Sequence, residues 1–547
     1  MANKQDIGNL GEHKMDESNR IQRGLSDQPL FDTTEYGSDP GDSTSDSTEN
    51  AAVTQHNITI KGTTISYTAH AGHLVIYDQY TARPSAKIFY VSFTANVYPS
   101  SRPVTFFYNG GPGSSSVYLL LGSFGPRRIK TSMPKFTPPP YELEDNADSL
   151  LDRTDLVFIN PVGTGYSTAI APKKNRDFWG VDEDARSIRQ FIKRYLTVYG
   201  RWNSPKFLFG ESYGTPRTCV LTWLLHEDGV DLNGIVLQSS ILDYSHPNGS
   251  VGILPTFAAV ALYHEKAKVS ASPKDLASFI TQVEKFALGP FTIAMEKHHK
   301  VDRTTLQKLS QYIGVPPNIL EKWKFDLAGN SVNYLTSLLQ DKAVGAYDGR
   351  VTGDDTGIAG MVEHNDRTGA NDPTLTAVGG VYTAMWNVYL NEELKYTSTS
   401  PFLDLNDKIG NDWDWKHVDP SGKQKGGQTT LYTAGDLAAS MELNPYLKVF
   451  CANGYYDSVT PFFQTRWDLD HMPLGDLKTK EGKESYRKIL EHNLFFHTYP
   501  SGHMIYLDDR SRREMKNDLD VFYDKIHHHR IEGQVTRYRR RFNRTPY

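Results

Sequence analysis

A serine, an aspartate and a histidine in this chain each stand in a turn directly after an apolar run. Ser212 is the centre of Gly210-Glu211-Ser212-Tyr213-Gly214. Phe207-Leu208-Phe209 precedes it and the helix-like residues 218–225 follow it, so a strand, a tight turn and a helix are predicted. Glycine at both flanks lets the backbone turn sharply and lets the helix approach the strand, leaving the serine Oγ exposed. A hydroxyl is a weak nucleophile at neutral pH and needs an imidazole as general base, oriented by a carboxylate. Residues 447–451 read as a buried strand that opens into Ala452-Asn453-Gly454-Tyr455-Tyr456-Asp457, and residues 493–499 as a second strand, followed by Pro500-Ser501-Gly502-His503. Asp457 and His503 are therefore the candidate acid and base. The chain has 18 histidines and 64 acidic residues, most of which need do no more than meet water. Joint order and context single these two out.

A further element lies upstream, where residues 104–108 run as a strand into Asn109-Gly110-Gly111-Pro112-Gly113-Ser114. Such a loop offers backbone N–H groups to a developing oxyanion; the competing reading is a structural turn. It has neither the Gly-Lys-Ser/Thr ending of a phosphate loop nor a dinucleotide fingerprint, so nucleotide binding is not expected.

These elements need a sheet to carry them. Val181, Ala185, Ile188, Phe191, Ile192, Tyr195 and Tyr199 recur at helical spacing behind Asp182, Glu183 and Asp184, whose charge suits a helix N-terminus. Ile58, Ile60, Ile65, Tyr67, Leu74 and Ile76, then residues 88–93, alternate as strands of an antiparallel meander, so the sheet is expected to be mixed. Ser212 and Asp457 are far apart in sequence, whereas Asp457 and His503 are close, so a large insertion must precede the acid strand. Within it, residues 272–312 and 382–394 show helical periodicity, and residues 347–373, rich in Gly, Asp and Thr, read as a long loop.

Together, Asn109-Gly-Gly-Pro-Gly113, the run Leu156-Val-Phe-Ile-Asn-Pro-Val-Gly-Thr-Gly-Tyr-Ser167, the Ser212 turn, Gly-Tyr-Tyr-Asp457 and Gly-His503-Met resemble the serine carboxypeptidase family over roughly residues 100 to 510. The resemblance implies an α/β-hydrolase fold with a mixed central sheet and a largely helical inserted lid, in which serine, acid and histidine follow in this order. It implies Ser212 as nucleophile, His503 as base, Asp457 as its orienting acid, and an oxyanion hole from the N–H groups of Gly111 and Tyr213. It also implies that Asn109, Gly110 and Glu211 bind the free carboxylate of a peptide, so that C-terminal amino acids are released through an acyl-enzyme. Neither cofactor nor metal is implied.

Three positions depart from the family pattern: Phe107 where tryptophan is common, Ser114 where a cysteine usually follows the loop, and Ser123 where a second glutamate shares a proton with Glu211. A lone Glu211 must then be kept protonated by burial or by Ser123, and activity is expected to extend closer to neutrality. An esterase or acyltransferase could use the same triad, and a catalytically silent binding protein is the alternative of another class.

Composition sets the remaining expectations. Cys219 and Cys451 are the only cysteines, both in apolar runs, and read as free thiols, although a single bridge stays open. Residues 1–55 show no signal-peptide core, and no apolar run reaches membrane length, so a cytoplasmic enzyme with no membrane partner is expected. Residues 1–55 carry 11 acidic and 4 basic residues and read as a disordered acidic tail; residues 527–547 carry six arginines and one glutamate and read as a disordered basic tail. The near-neutral body between them gives no footing for nucleic acid. The expected organisation is a first part of the hydrolase core at 56–243, a lid at 244–430 and a second core part at 431–526. His298-His299 and residues 527–529 are not spaced like a supported metal site.

Overall fold

The computed structural model describes residues 26–542 apart from 97–101, 246–248, 270–274, 297–300, 355–371, 421–429 and 475–478, with side chains given to residue 526 except at 483 and 485. Short apolar runs flanked by longer amphipathic ones bury strands on both faces, and here they build a ten-stranded mixed sheet. Its main strands are β1 (Ala51–Ile60), β2 (Thr63–Tyr77), β3 (Pro84–Ala95), β4 (Val104–Tyr108), β5 (Asp155–Ile159), β6 (Lys206–Glu211), β7 (Gly234–Gln238), β8 (Lys448–Gly454) and β9 (Leu494–Tyr499). Their order is β9-β8-β7-β6-β4-β5-β3-β2-β1, and the two-residue strand Thr168–Ala169 pairs with β3. Strands β4 to β9 are parallel, whereas β1, β2 and β3 form an antiparallel meander joined to β5.

Helices cover the two faces and build an insertion between β7 and β8. Among them are α1 (Val117–Gly122), α2 (Val181–Val198), α3 (Gly214–Glu227), α4 (Gly249–Tyr263), α5 (Leu276–Phe286), α6 (Pro373–Val388), α7 (Ala434–Leu443) and α8 (Asp509–Phe542). Phe106, Leu208 and Val449 pack with Ile188 and Phe191 of α2 and Leu221 of α3 on one face; Phe107, Phe209 and Phe450 pack with Leu119 of α1, Tyr382 of α6 and Phe522 of α8 on the other. Between β7 and β8 the chain forms a largely helical insertion with its own core, in which Leu254 and Phe257 of α4 meet Phe279 and Val283 of α5. The Gly-, Asp- and Thr-rich stretch at 347–373 lies outside the described residues at 355–371; its start contains the short strand Thr352–Asp354. Cys219 and Cys451 are buried free thiols. Among the described residues, no helix is long and apolar enough to cross a membrane.

Both terminal expectations need correction. From residue 26 onward the acidic segment is docked, because its carboxylates find partners. Leu30–Asp32 pairs in parallel with Tyr396–Ser398. Asp32 accepts hydrogen bonds from Tyr36 and Tyr396, Asp46 meets the buried Lys87, and Glu49 takes a two-pronged contact from Arg194. Residues 1–25 and 543–547 lie outside the described residues. At the other end, α8 continues through the basic segment to Phe542. Composition argued for disorder there, but a helix satisfies its own backbone hydrogen bonds and needs no apolar face to continue for a few turns.

Candidate active site

Ser212 sits between β6 and α3 with φ at 58°, in the left-handed region that a serine occupies only under constraint. The neighbours supply that constraint. A Cβ on Gly210 would lie 2.2 Å from the Gly214 carbonyl oxygen, and one on Gly110 would lie 2.4 Å from the Tyr213 amide nitrogen. Only glycine at these two places lets strand, helix and upstream loop close up, and the loop backbone therefore abuts the amide just past Ser212. Arg217 of α3 locks the arrangement by donating to the Asn109 carbonyl at 2.6 Å. Its buried partner is Asp184 of α2, with which it also hydrogen-bonds. The first-turn carboxylate Asp184, whose charge suits the helix N-terminus, is also an internal ion-pair partner.

His503 and Asp457 stand at the ends of β9 and β8. His503 Nδ1 lies 2.8 Å from Asp457 Oδ2, so the carboxylate selects the tautomer with hydrogen on Nδ1 and leaves the Nε2 lone pair available. The other oxygen, Asp457 Oδ1, accepts the N–H groups of Val459 at 2.9 Å and Thr460 at 3.0 Å. The Thr460 hydroxyl donates to Asp457 Oδ2 at 2.6 Å. Asp457 is fully buried. Burial alone would discourage a charged imidazole, but the adjacent Asp457 outweighs it and holds His503 above its ordinary value of 6.5.

Glu211 lies in the chain just before Ser212 and is buried. Asn109 Nδ2 donates to its Oε2 at 3.2 Å, and the Tyr506 hydroxyl lies 2.9 Å from Oε2 and 3.2 Å from Oε1. Burial raises the Glu211 carboxyl to about 7, against the pull of His503 and the two hydrogen bonds. Of the two expected sources of protonation, burial is present and Ser123 is not: its Oγ turns back to the Leu119 carbonyl at 2.5 Å, the usual helical alternative for serine.

Asn109, Gly110, Gly111, Glu211, Ser212 and His503 line one cavity of about 410 Å³. Its remaining wall includes Tyr118, Tyr244, Tyr347 and Trp415. Tyr213 contributes its amide beside Gly110, while its ring turns away to pack on Trp413. The structure thus brings seven of the eight proposed site residues to one place, with the eighth, Asp457, directly behind the imidazole. Sequence reasoning missed Thr460, Tyr506 and Tyr347. Thr460, three residues after Asp457, follows the spacing of a local side-chain turn; Tyr506 and Tyr347 carry no such signal.

Residues 60–248 match the profile of the serine carboxypeptidases. That segment, less than half of the chain, is similar to the serine carboxypeptidase family. A human relative named probable serine carboxypeptidase CPVL is 26% identical over 211 residues, a match covering 37% of this chain and 40% of the relative. The pheromone-processing carboxypeptidase KEX1 of Colletotrichum graminicola is 30% identical over 146 residues, covering 26% of this chain and 21% of that protein. These sequence matches span less than half of the relatives' length. The solved structure of the prohormone-processing carboxypeptidase KEX1 from Saccharomyces cerevisiae aligns with a TM-score of 0.51 at 17% identity, over 84% of this chain and 92% of that one. That likeness shows the α/β-hydrolase fold. The chain's two cysteines, Cys219 and Cys451, are both free thiols.

Proposed function

We propose that the protein is a serine-type carboxypeptidase that releases C-terminal amino acids from peptides. The observation that carries this reading is a protonatable carboxyl group, Glu211, placed beside Ser212 and His503 in one cavity. Two anions repel, so a glutamate that recognises a substrate carboxylate must bring a proton, and burial supplies one up to about pH 7. In this reading Ser212 Oγ attacks the last peptide carbonyl while His503 Nε2 takes the hydroxyl proton. Asp457 keeps the imidazole oriented, and the N–H groups of Gly111 and Tyr213 receive the developing oxyanion. His503 then gives its proton to the departing amino acid and activates water to hydrolyse the acyl-enzyme. Asn109, Gly110 and Glu211 hold the terminal carboxylate. The substrates are peptides with a free C-terminus, and two buried thiols suit a reducing compartment such as the cytoplasm.

A matched pair of peptides, one with a free C-terminus and one amidated, tests the proposal by mass spectrometry. Release of single residues from the free acid alone, abolished by Ser212→Ala, is expected. Turnover of acyl esters without release of any amino acid would favour an esterase or acyltransferase instead.

A further inference from the structure

Tyr506 stands three residues after His503, in a short 3-10 turn, and its ring is buried. Its hydroxyl reaches both oxygens of Glu211. We infer that Tyr506 is a positioning residue for carboxylate recognition: its phenol fixes the Glu211 carboxyl and leaves the carboxyl's own proton directed at the terminal carboxylate of the substrate. This rests on the carboxypeptidase reading and names how the site achieves it.

The chemistry of the donors decides the point. A second carboxyl beside Glu211 would share one proton with it, and that proton would be divided between the pair. A phenol brings its own proton, and burial raises Tyr506 well above its ordinary value of 10, so the group stays a donor across the working range. Asn109 Nδ2, an amide nitrogen, can only donate. Held by two neutral donors, the protonated Glu211 has its O–H free for an external acceptor. The cavity offers that direction, because Asn109 and Glu211 both line it.

The fold makes room for this ring in particular. A Cβ on Gly122 would lie 2.5 Å from Tyr506 Cε2 and 2.1 Å from the Tyr382 hydroxyl, so the ring occupies space that a side chain at residue 122 would claim. Ser123, next in the chain, points away to Leu119. From the other side, Arg512 of α8 donates to the Tyr506 carbonyl at 3.2 Å while bound to Asp148 and Asp509. The tyrosine is thus seated by α1 and α8 with its hydroxyl on Glu211.

Calorimetric binding of an N-acetylated dipeptide, as free acid and as amide, to the full-length Ser212→Ala protein tests the inference. The acid is expected to bind more tightly than the amide. Adding Tyr506→Phe, which removes one oxygen atom, is expected to weaken the acid about tenfold and the amide less than twofold. Gly122→Ala, whose methyl displaces the ring, is expected to act in the same direction. A Ser212→Ala protein that binds acid and amide equally overturns the carboxypeptidase reading and this inference together. An acid preference that survives Tyr506→Phe undiminished overturns the role of Tyr506 alone, as does an equal loss for both ligands, which would mark a purely structural side chain.

Discussion

The carbonyl oxygen of Tyr347 accepts the amide hydrogen of His503 at 2.6 Å. The loop that carries His503 is therefore hydrogen-bonded to the insertion, and the Tyr347 ring stands edge-on to the imidazole at 5.2 Å. Arg350, three residues on, grips Asp348 with two nitrogens and reaches Asp508 and the Pro500 carbonyl beyond the histidine loop. The insertion is thus part of the frame that holds the imidazole still.

Replacing Arg350 by methionine should expose how much that frame matters. It leaves the buried Asp348 and the largely buried Asp508 without their shared cation, a loss of about 3–5 kcal/mol for breaking a buried pair. Chemical denaturation should show the drop. Activity of the surviving folded enzyme should fall through kcat, because the His503 loop loses its backing.

The Asp457–His503 contact makes a sharper prediction. Asp457→Asn keeps the shape but removes the charge that selects hydrogen on Nδ1, and kcat/KM should fall by about 10⁴. Thr460→Val removes only one donor to Asp457 Oδ2, and a loss of about tenfold is expected. Steady-state kinetics on the two variants separates them.

The pH profile follows from two neighbouring groups. His503 must be neutral to take a proton, and its value lies above 6.5, so acylation should rise with pH through that region. Glu211 must be protonated to hold a carboxylate, and it titrates at about 7, so recognition should weaken above neutrality. kcat/KM for a free-acid peptide should be bell-shaped with its maximum near pH 7. An ester without a carboxylate should keep the acidic limb and lose the alkaline one. An optimum below about pH 5 for the peptide would contradict this assignment.

A second titration concerns stability. His417 lies two residues beyond Trp415 of the cavity wall, and its ring nitrogens meet Asp182 Oδ1 at 2.7 Å and Asp436 Oδ2 at 2.9 Å. Burial opposes the charge, but the two carboxylates prevail and raise His417 to about 9. Its folded value is above its unfolded one, so its stabilisation is full below about pH 6.5 and disappears as pH rises through about 9. His417→Ala should therefore cost about 2 kcal/mol at pH 7. The difference from wild type in thermal melting should shrink towards pH 10.

The sequence made the site legible wherever a short pattern carries geometry. Ser212 between glycines, and Asp457 and His503 at the ends of apolar runs, announce themselves because strand, turn and helix are local properties. Glu211 as a carboxyl requiring a proton was also readable, since Ser123 stands where a partner acid would be expected. The donor actually used was not, because Tyr506 and Glu211 are 295 positions apart and only the fold brings them together. Asp184 was legible as a first-turn charge and its partner was not: such a charge suits the dipole wherever the helix lies, and nothing local says that Arg217 faces it. The acidic start of the chain misled by composition, since Asp46 and Glu49 are charges that fold against Lys87 and Arg194.

Covalent labelling tests the central claim most directly. Treatment of the native protein with a fluorophosphonate, followed by intact-mass measurement and peptide mapping, should show one adduct on Ser212, formed faster as pH rises through the His503 titration and lost in His503→Ala. A native protein that takes up no label, or takes it up on another serine, would contradict the account.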